Sequence, residues 1–305
     1  MLVFACLLDQ LTGMRWDTHN NLLFDETTQR YWSTGRGCMN PTCAVSYAAN
    51  ANNKQFRSIA LTSASPSLRP TDFTNAHLVL QPQVVRGRGV GDDQLYLQVT
   101  FAFHDVYIGL LSVFNQSSDT VSCQLQWTDR LALNTTFVRI QPGTPLIDCD
   151  TPFCRGMCHP AAFPVQPDSE SDISMYYWGT VGQHNVGVQH GFFNLAHLRP
   201  DGFAGMQAAE TGFLRSQPLL CTGKRLIVSA DPILGSTNAS ICVGLLNVAS
   251  SGLADCIPVV LAGEGGVSDH AIRWRGGRSL PVGQMLTIEF KITHATIFTF
   301  GFDSR

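Results

Sequence analysis

Two aspartates stand beside polar residues in a way that suits acid–base chemistry. Asp17 begins the run DTHN, whose His19 and Asn20 could hydrogen-bond a bound ligand, and Asp105 follows His104 between two β-rich runs. A carboxyl group acts as a general acid only when its pKa is raised towards the working pH. Two other interpretations stay open. The DTHN run could tie the chain together through side-chain to backbone bonds, and Asp105 could be a turn carboxylate.

The spacing of four further residues raises the question of a metal site. Cys149, Cys154, Cys158 and His159 lie close together among the ten cysteines of the chain. A structural zinc site needs a second pair of ligands at similar spacing, and none follows in the sequence. We therefore predict no metal and no cofactor, and expect these cysteines to be free or paired locally in loops.

Composition excludes several classes of protein. The chain has 305 residues, 44% of them hydrophobic and only 14% charged, with 27 Gly, 15 Pro and a net charge of −3. This profile is typical of a turn-rich β protein, and it favours neither nucleic acid nor a membrane as partner. The absence of a G-x-S-x-G motif argues against a serine hydrolase. The apolar start, MLVFACLL, lacks the basic residues of a signal peptide, so the compartment stays open, with secretion possible if the N-terminus is incomplete.

The elements that would position these residues are predicted to be strands. Four β-rich runs between Tyr96 and Ile140, separated by turn residues, predict one antiparallel four-stranded sheet. Leu61, Leu125 and Leu195 occupy equivalent places in their strands, 64 and 70 positions apart. A repeat of this length with four strands per unit is typical of a β-propeller. We predict a propeller over residues 1–211 and, from the short strands that follow at about ten-residue spacing, a β-sandwich over 212–305.

Several phrases of the sequence together resemble the glycoside hydrolase 32 and 43 group. They are DTHNNLLFD, YIGLL followed by a strand ending in QW, GMCHP with YYWGTVGQH, LRPDGFAG, and the run from LIVSAD to FTFGF. The resemblance implies a five-bladed β-propeller followed by a C-terminal β-sandwich. On that reading, only about three of the five blades are present here, and the chain starts after the first two.

The resemblance also implies roles for individual residues. Arg36 and Arg57 match arginines of the group and would bind sugar hydroxyls or hold a carboxylate ionised, unless they form a structural ion pair. His159 would face the central funnel, although a satisfied loop histidine is the alternative. Trp178 ends an aromatic run that could stack on a sugar, although alternation along a strand buries about half of such side chains.

The implied function is hydrolysis of β-fructosides or related glycosides by carboxylate acid/base chemistry. That chemistry needs two carboxyl groups about 5–5.5 Å apart for retention, or about 6.5–9.5 Å apart for inversion. Asp17 and Asp105 are the candidates, but the early-blade carboxylates of the group are missing. Cys154 and Arg155 also replace an Asp-Ser pair. Enzymatic activity therefore stays open, and the alternative is a non-catalytic module that binds glycans or proteins. Carbohydrate is the expected ligand, and the sequence leaves the oligomeric state open.

Overall fold

The computed structural model describes residues 21–38, 57–67, 72–74, 76–80, 93–161, 163–168, 171–185, 190–246, 248, 251–261, 265–277 and 279–304. Its regular elements in these ranges are strands, with a turn of 3₁₀ helix at Leu253–Asp255. The predicted all-β class is confirmed. The chain divides into two compact units: the first ends at His197, and the second runs from Leu198 and also includes Pro167–Asp172.

The first sheet of the first unit contains four strands in chain order. They are β1 (Asn21–Asp25), β2 (Arg30–Cys38), β3 (Arg57–Ala64) and β4 (His77–Leu80). The β-rich runs NLLFD and RYWSTGR on either side of Glu26–Gln29 predict a hairpin, and the pairing of Asp25 with Arg30 closes it between β1 and β2. All the pairings are antiparallel, which is the order expected of a single propeller blade.

The second sheet is the one predicted between Tyr96 and Ile140. Its strands are β5 (Asp93–Phe103), β6 (Val106–Asn115), β7 (Thr120–Thr128) and β8 (Val138–Arg139), again antiparallel and in chain order. His104 and Asp105 form the tight turn between β5 and β6, and His104 has a φ of 51°. The β-rich runs and turn residues thus place all four strands correctly.

The third sheet differs from the prediction in one respect. Its strands are β9 (Met157–Pro160), β10 (Ile173–Thr180) and β11 (Gly191–Leu198). A parallel pairing of Val121 with Met157 joins β7 to β9, so the second and third sheets form one continuous sheet. A separate blade was expected here. Periodicity within each strand carries no information about such a junction, because a parallel contact links strands that are distant in the sequence.

Hydrophobic packing and hydrogen bonds hold the first two sheets together. Ile59, Leu61, Leu95 and Leu111 are fully buried in a core that both sheets share. Beside it, the Tyr107 hydroxyl donates to Asp25 at 2.6 Å. Burial raises the pKa of the Asp25 carboxyl, but hydrogen bonds from Thr28, Tyr107 and Thr27 outweigh burial and leave its pKa lowered.

The second unit is built around its last strand. Its strands are β12 (Met206–Arg215), β13 (Leu219–Leu220), β14 (Arg225–Pro232), β15 (Ser240–Leu245), β16 (Val259–Val260), β17 (Val267–Ala271), β18 (Met285–Leu286) and β19 (Ile288–Asp303). β12, β14, β15, β16, β17 and β19 form one sheet, and β13 pairs with β18 in a second. Buried aliphatic and aromatic side chains, among them Phe290, Ile241 and Leu226, fill the core.

Strand β19 is longer than the short strands that the sequence predicts. Over its first half it pairs with both β12 and β15, and over its second half β14 replaces β15. The change of partner occurs at His294, which has a φ of 47° and whose carbonyl accepts from the Ile233 amide at 2.9 Å. A strand that bends between two sets of partners is a common way to make a sandwich corner. The domain boundary predicted near residue 211 falls inside β12.

Two disulfides are formed within the described residues. Cys149 pairs with Cys154 in a loop of the first unit, and Cys242 pairs with Cys256 in the second unit. Cys123, Cys158 and Cys221 are free and buried. The sequence left open whether the loop cysteines are free or locally paired; Cys149 and Cys154 are paired, and Cys158 is free.

We expect the Asp25–Tyr107 bond to stabilise the first unit in a pH-dependent way. Because the pKa of Asp25 is lowered from 3.8, its contribution is present above about pH 4 and is lost as the pH falls through the native pKa. Asp25→Asn should lower the free energy of unfolding by about 1.5–3 kcal/mol at pH 7. Urea unfolding at a series of pH values measures this.

The difference between wild type and Asp25→Asn should shrink steadily below pH 4. Asp129→Asn changes an exposed carboxyl group at the end of β7 and is the matched control, with little effect expected at any pH. If the difference in the free energy of unfolding stays constant down to pH 2, the ionised carboxylate of Asp25 is not what stabilises the contact with Tyr107.

The crosslink in the second unit gives another measurable effect. Cys242 and Cys256 are 14 residues apart, and replacing both by alanine should lower the free energy of unfolding by about 2–4 kcal/mol. Cys221→Ala removes a buried thiol without removing a crosslink and controls for lost packing. If the double variant loses no more stability than Cys221→Ala, then the crosslink is not a stabilising element.

Candidate functional site

The site is organised around Tyr96, which stands at an irregularity in β5. In the antiparallel pairing of β5 with β6, Leu95 lies opposite Val113 and Leu97 lies opposite Ser112, so Tyr96 has no partner of its own. This is a β-bulge, which bends a strand and turns the side chain of the extra residue. The half-buried Tyr96 ring becomes the meeting point of side chains from the first sheet and from the continuous sheet that contains β5–β11.

Two arginines of the first sheet stack on the Tyr96 ring. The guanidinium carbon of Arg57, at the start of β3, lies 4.9 Å from the ring centroid, and that of Arg36, in β2, lies 5.4 Å from it. Arg57 also lies 5.5 Å from the centroid of Phe114 on β6. A cation over an aromatic face is attracted by the ring quadrupole, more strongly when water is excluded, and Arg36 is only 2% exposed.

Hydrogen bonds between buried polar side chains hold β2 against β5, and they fix where Arg36 lies. The Thr34 hydroxyl is 3.2 Å from that of Thr100 and 3.2 Å from the carbonyl of Gln98. The Asn21 amide donates to the carbonyl of Thr100 at 2.8 Å. Arg36 is two residues beyond Thr34 on the same face of β2, so this pairing carries its side chain towards Tyr96.

The third sheet contributes a stacked pair. His159 in β9 and Trp178 in β10 are directly opposite one another, with ring centroids 5.8 Å apart and planes 18° from parallel. The His159 ring is also 5.8 Å from that of Tyr96, and its Nδ1 is 3.1 Å from the hydroxyl of Ser112. Trp178 is 37% exposed, so its indole is available to a ligand. Gly191 permits this position, since a Cβ there would lie 2.4 Å from the indole nitrogen.

A second histidine reaches Tyr96 from a loop. His184 Nε2 is 3.1 Å from the Tyr96 hydroxyl, and its ring centroid is 4.7 Å from that of Phe114. Asp119 holds the loop: its carbonyl accepts from the His184 amide at 2.9 Å, and its carboxylate accepts from the Asn185 amide at 2.8 Å. Asp119 is therefore a positioning residue for His184.

We call this arrangement the Tyr96 cluster. Its members are Arg36, Arg57, Tyr96, Ser112, Phe114, His159, Trp178 and His184. The guanidinium of the partly exposed Arg57, two imidazoles and an exposed indole can bind hydroxyl groups and stack against an apolar ring face. The cluster is thus suited to hold a polar ligand that also has flat, weakly polar faces.

The structure separates the other predicted site residues from this cluster. His104 and Asp105 are exposed at the far end of β5, seven residues of strand beyond Tyr96, which corresponds to about 23 Å. Asp105 is a turn residue there, the alternative that the sequence left open. Asp17, His19 and Asn20 lie outside the described residues.

Four cluster members were predicted as substrate-binding residues, and the structure brings these four together: Arg36, Arg57, His159 and Trp178. Sequence reasoning missed the central residue, Tyr96, along with His184 and Asp119. Tyr96 had the appearance of an ordinary strand residue, because a bulge gives no signal in a β-rich run. The nearness of His184 to the aromatic run in β10 was the only available hint.

The residues of the cysteine cluster do not come together as one set of ligands within the described part of the chain. Cys149 and Cys154 form a disulfide, and a hydrogen bond with Cys158 and burial raise the pKa of the Cys123 thiol well above its usual value. Within the described ranges no three His, Cys, Asp or Glu side chains come together as metal ligands. The described part of the chain also has no helix with the length and apolar character needed to cross a bilayer.

No protein-family model and no curated protein matches this chain. Solved structures similar to it include three glycoside hydrolases. The first is a family 43 arabinoxylan arabinofuranohydrolase from Bacillus subtilis, solved with cellotetraose, at 10% identity and a TM-score of 0.28. The second is an exo-β-1,3-galactanase from Phanerochaete chrysosporium, solved with galactose, at 9% identity and a TM-score of 0.25. The third is a family 32 β-fructofuranosidase from Bombyx mori, at 8% identity and a TM-score of 0.31.

The similarities span most of this chain but less of the other proteins. They cover 94%, 91% and 92% of this chain, and 54%, 80% and 64% of the respective solved chains. The chain thus spans about half the length of the arabinofuranohydrolase and under two thirds of the β-fructofuranosidase. The three proteins belong to the glycoside hydrolase group that the sequence resembles.

We expect Asp119 to control the order of the His184 loop. Asp119→Ala removes the carboxylate that accepts from Asn185, so amide hydrogen exchange at Asn185 should become faster by about tenfold, which corresponds to one lost hydrogen bond. Exchange measured by NMR or mass spectrometry reports this. Asp129→Ala, which removes an exposed carboxyl group elsewhere, should leave the loop unchanged; equal exchange in both variants would mean that Asp119 does not hold the loop.

Proposed function

We propose that this protein binds a glycoside at the Tyr96 cluster. We further propose that it belongs functionally with the glycoside hydrolases of the 32 and 43 group, with a β-fructoside or a related glycoside as substrate. The observation that carries the proposal is the convergence of Arg36, Arg57, His159 and Trp178 on one tyrosine. These are residue types that recognise sugars, and they come from the first sheet and from the β9–β10 part of the continuous sheet.

The chemistry of a sugar matches the chemistry of the cluster. A sugar ring has a face of C–H groups that packs on an aromatic surface, which the exposed indole of Trp178 supplies. Its hydroxyl groups accept hydrogen bonds from a guanidinium group, which Arg57 supplies, and donate to or accept from an imidazole, which His159 supplies. Small-ligand sites in general combine aromatic walls with a few well-placed polar groups.

Hydrolysis requires carboxyl groups in addition to these contacts. In our proposal Asp17 supplies one of them, as the first residue of the run that leads into β1. One carboxylic acid protonates the leaving oxygen, and the bond from the anomeric carbon to that oxygen breaks. Water then adds to the carbon and gives one proton to a second carboxylate. Asp105 is poorly placed as the second group, because its turn lies about 23 Å along the strand from Tyr96 and both carboxyl groups must flank the bond that is cleaved.

The distant location of Asp105 favours one alternative function. A non-catalytic protein that recognises a glycan needs the aromatic and hydrogen-bonding groups of the Tyr96 cluster but no carboxylate pair. Both functions predict binding at the same residues. They differ in whether the bound glycoside is cleaved.

Ligand binding and cleavage can be measured separately on the same variants. Titration of intrinsic tryptophan fluorescence with β-fructosides, arabinofuranosides and β-1,3-galactans should identify a bound glycoside. Trp178→Ala should weaken its binding by about tenfold or more, because the stacking surface is lost. Released reducing sugar then measures hydrolysis in wild type, Asp17→Asn and Asp129→Asn.

The hydrolase proposal predicts that Asp17→Asn loses cleavage by about 10³-fold or more while binding persists, and that the control Asp129→Asn is unaffected. Binding without cleavage by the wild type supports the non-catalytic alternative. If none of the three glycoside classes binds, or if Trp178→Ala binds as tightly as wild type, the Tyr96 cluster is not a glycoside site.

A further inference from the structure

A second candidate site lies on the outward face of the sheet in the second unit. Along β19, Phe290 and Ile292 point into the core, so the alternating residues Glu289, Lys291 and Thr293 point outward. The strand pairings put Phe213 of β12 and Cys242 of β15 beside Lys291. The next outward row contains Thr211 and Ser240 on either side of Thr293.

A wall along one side turns this face into a groove. The segment that contains the 3₁₀ turn Leu253–Asp255 packs against β15, and the disulfide between Cys242 and Cys256 anchors it. Gly244 permits the close approach, since a Cβ there would lie 2.6 Å from the Leu253 amide nitrogen. Leu253, Ala254 and Pro258 line the wall, and the groove accommodates about 400 Å³. That volume is within the range of small-ligand sites, about 300–1,000 Å³.

The groove combines three kinds of contact. Phe213 is 67% exposed, which is unusual for a large aromatic side chain and gives the floor an apolar surface. Hydroxyl groups come from Ser240 and from Thr293, whose Oγ1 is 3.2 Å from that of Thr211. The remaining contact is the ammonium group of Lys291, in the centre of the floor.

The described carboxylates near Lys291 do not neutralise its charge. The neighbouring outward carboxylate, Glu289, binds Arg215 at 2.8 Å, so that pair is internally compensated. Among the residues that the structure describes, no carboxylate lies within ion-pair distance of Lys291. The groove is therefore complementary to a ligand with one negative charge, several hydroxyl groups and an apolar ring face.

We propose that this groove binds an acidic sugar, a hexuronic acid unit of an oligosaccharide. Its carboxylate pairs with Lys291, its ring face packs on Phe213, and its hydroxyl groups bond to Ser240 and Thr293. A charge-assisted hydrogen bond to Lys291 would separate such a unit from the neutral sugar of the same shape. This site is independent of the Tyr96 cluster, since it is formed entirely by the second unit.

Isothermal titration calorimetry on the full chain tests the proposal, with trigalacturonate as ligand and the neutral galactose trisaccharide of the same linkage as comparison. Wild type should bind trigalacturonate at least about tenfold more tightly, and the difference should decrease with added salt. Lys291→Met should abolish this preference. Phe213→Ala should weaken binding of the acidic trisaccharide by about 2- to 10-fold.

Lys224→Met is the matched control, because Lys224 is an exposed lysine of the same unit outside the groove, and its variant should bind as wild type does. Thermal unfolding of each variant verifies that the sandwich remains folded. Equal binding of both trisaccharides, no binding of trigalacturonate at millimolar concentration, or an unchanged preference in Lys291→Met would each overturn the proposal.

Discussion

The arrangement of the first unit depends on one extra residue in β5. The bulge at Tyr96 interrupts the ladder between β5 and β6, and it turns a large polar aromatic ring towards the neighbouring sheets. The guanidinium groups of Arg36 and Arg57 lie against that ring, and His159 and His184 contact its other edges. With regular pairing in this place, the tyrosine would follow the alternation of the strand and have no such set of contacts.

Hydrophobic packing and buried polar groups both hold these residues in place, in different ways. The shared core of the first two sheets supplies most of the stabilisation, since fully buried aliphatic side chains such as Leu61 and Leu111 each contribute about 1.5–3 kcal/mol. The buried network of Asn21, Thr34 and Thr100 adds specificity, because its hydrogen bonds are satisfied in only one alignment of β2 with β5. That alignment is what places Arg36 over Tyr96.

Much of the fold followed from the sequence because alternation and turn chemistry are local signals. The four strands between Asp93 and Arg139 and the hairpin at Asp25 were predicted at nearly their observed positions. The parallel junction of β7 with β9 and the continuous β19 were not predicted, because pairing between strands that are distant in the sequence produces no periodic pattern of residues. The residues of the candidate site also fall into those with a signal in the sequence and those that depend on distant contacts. Trp178 was suggested by its aromatic run and the two arginines by the resemblance to a family, whereas the position of Tyr96 depends on a bulge and that of His184 on a loop that Asp119 holds.

The central claim is that the Tyr96 cluster is a glycoside site, and the most direct test is NMR observation of its rings. A bound β-fructoside or related glycoside should shift the ring signals of His159 and His184 and the indole N–H of Trp178. The indole N–H of Trp274, buried in the second unit and bonded to the carbonyl of Val243 at 2.8 Å, should not move. If the glycoside binds without shifting the His159 and Trp178 signals, the ligand occupies another site and the account is wrong.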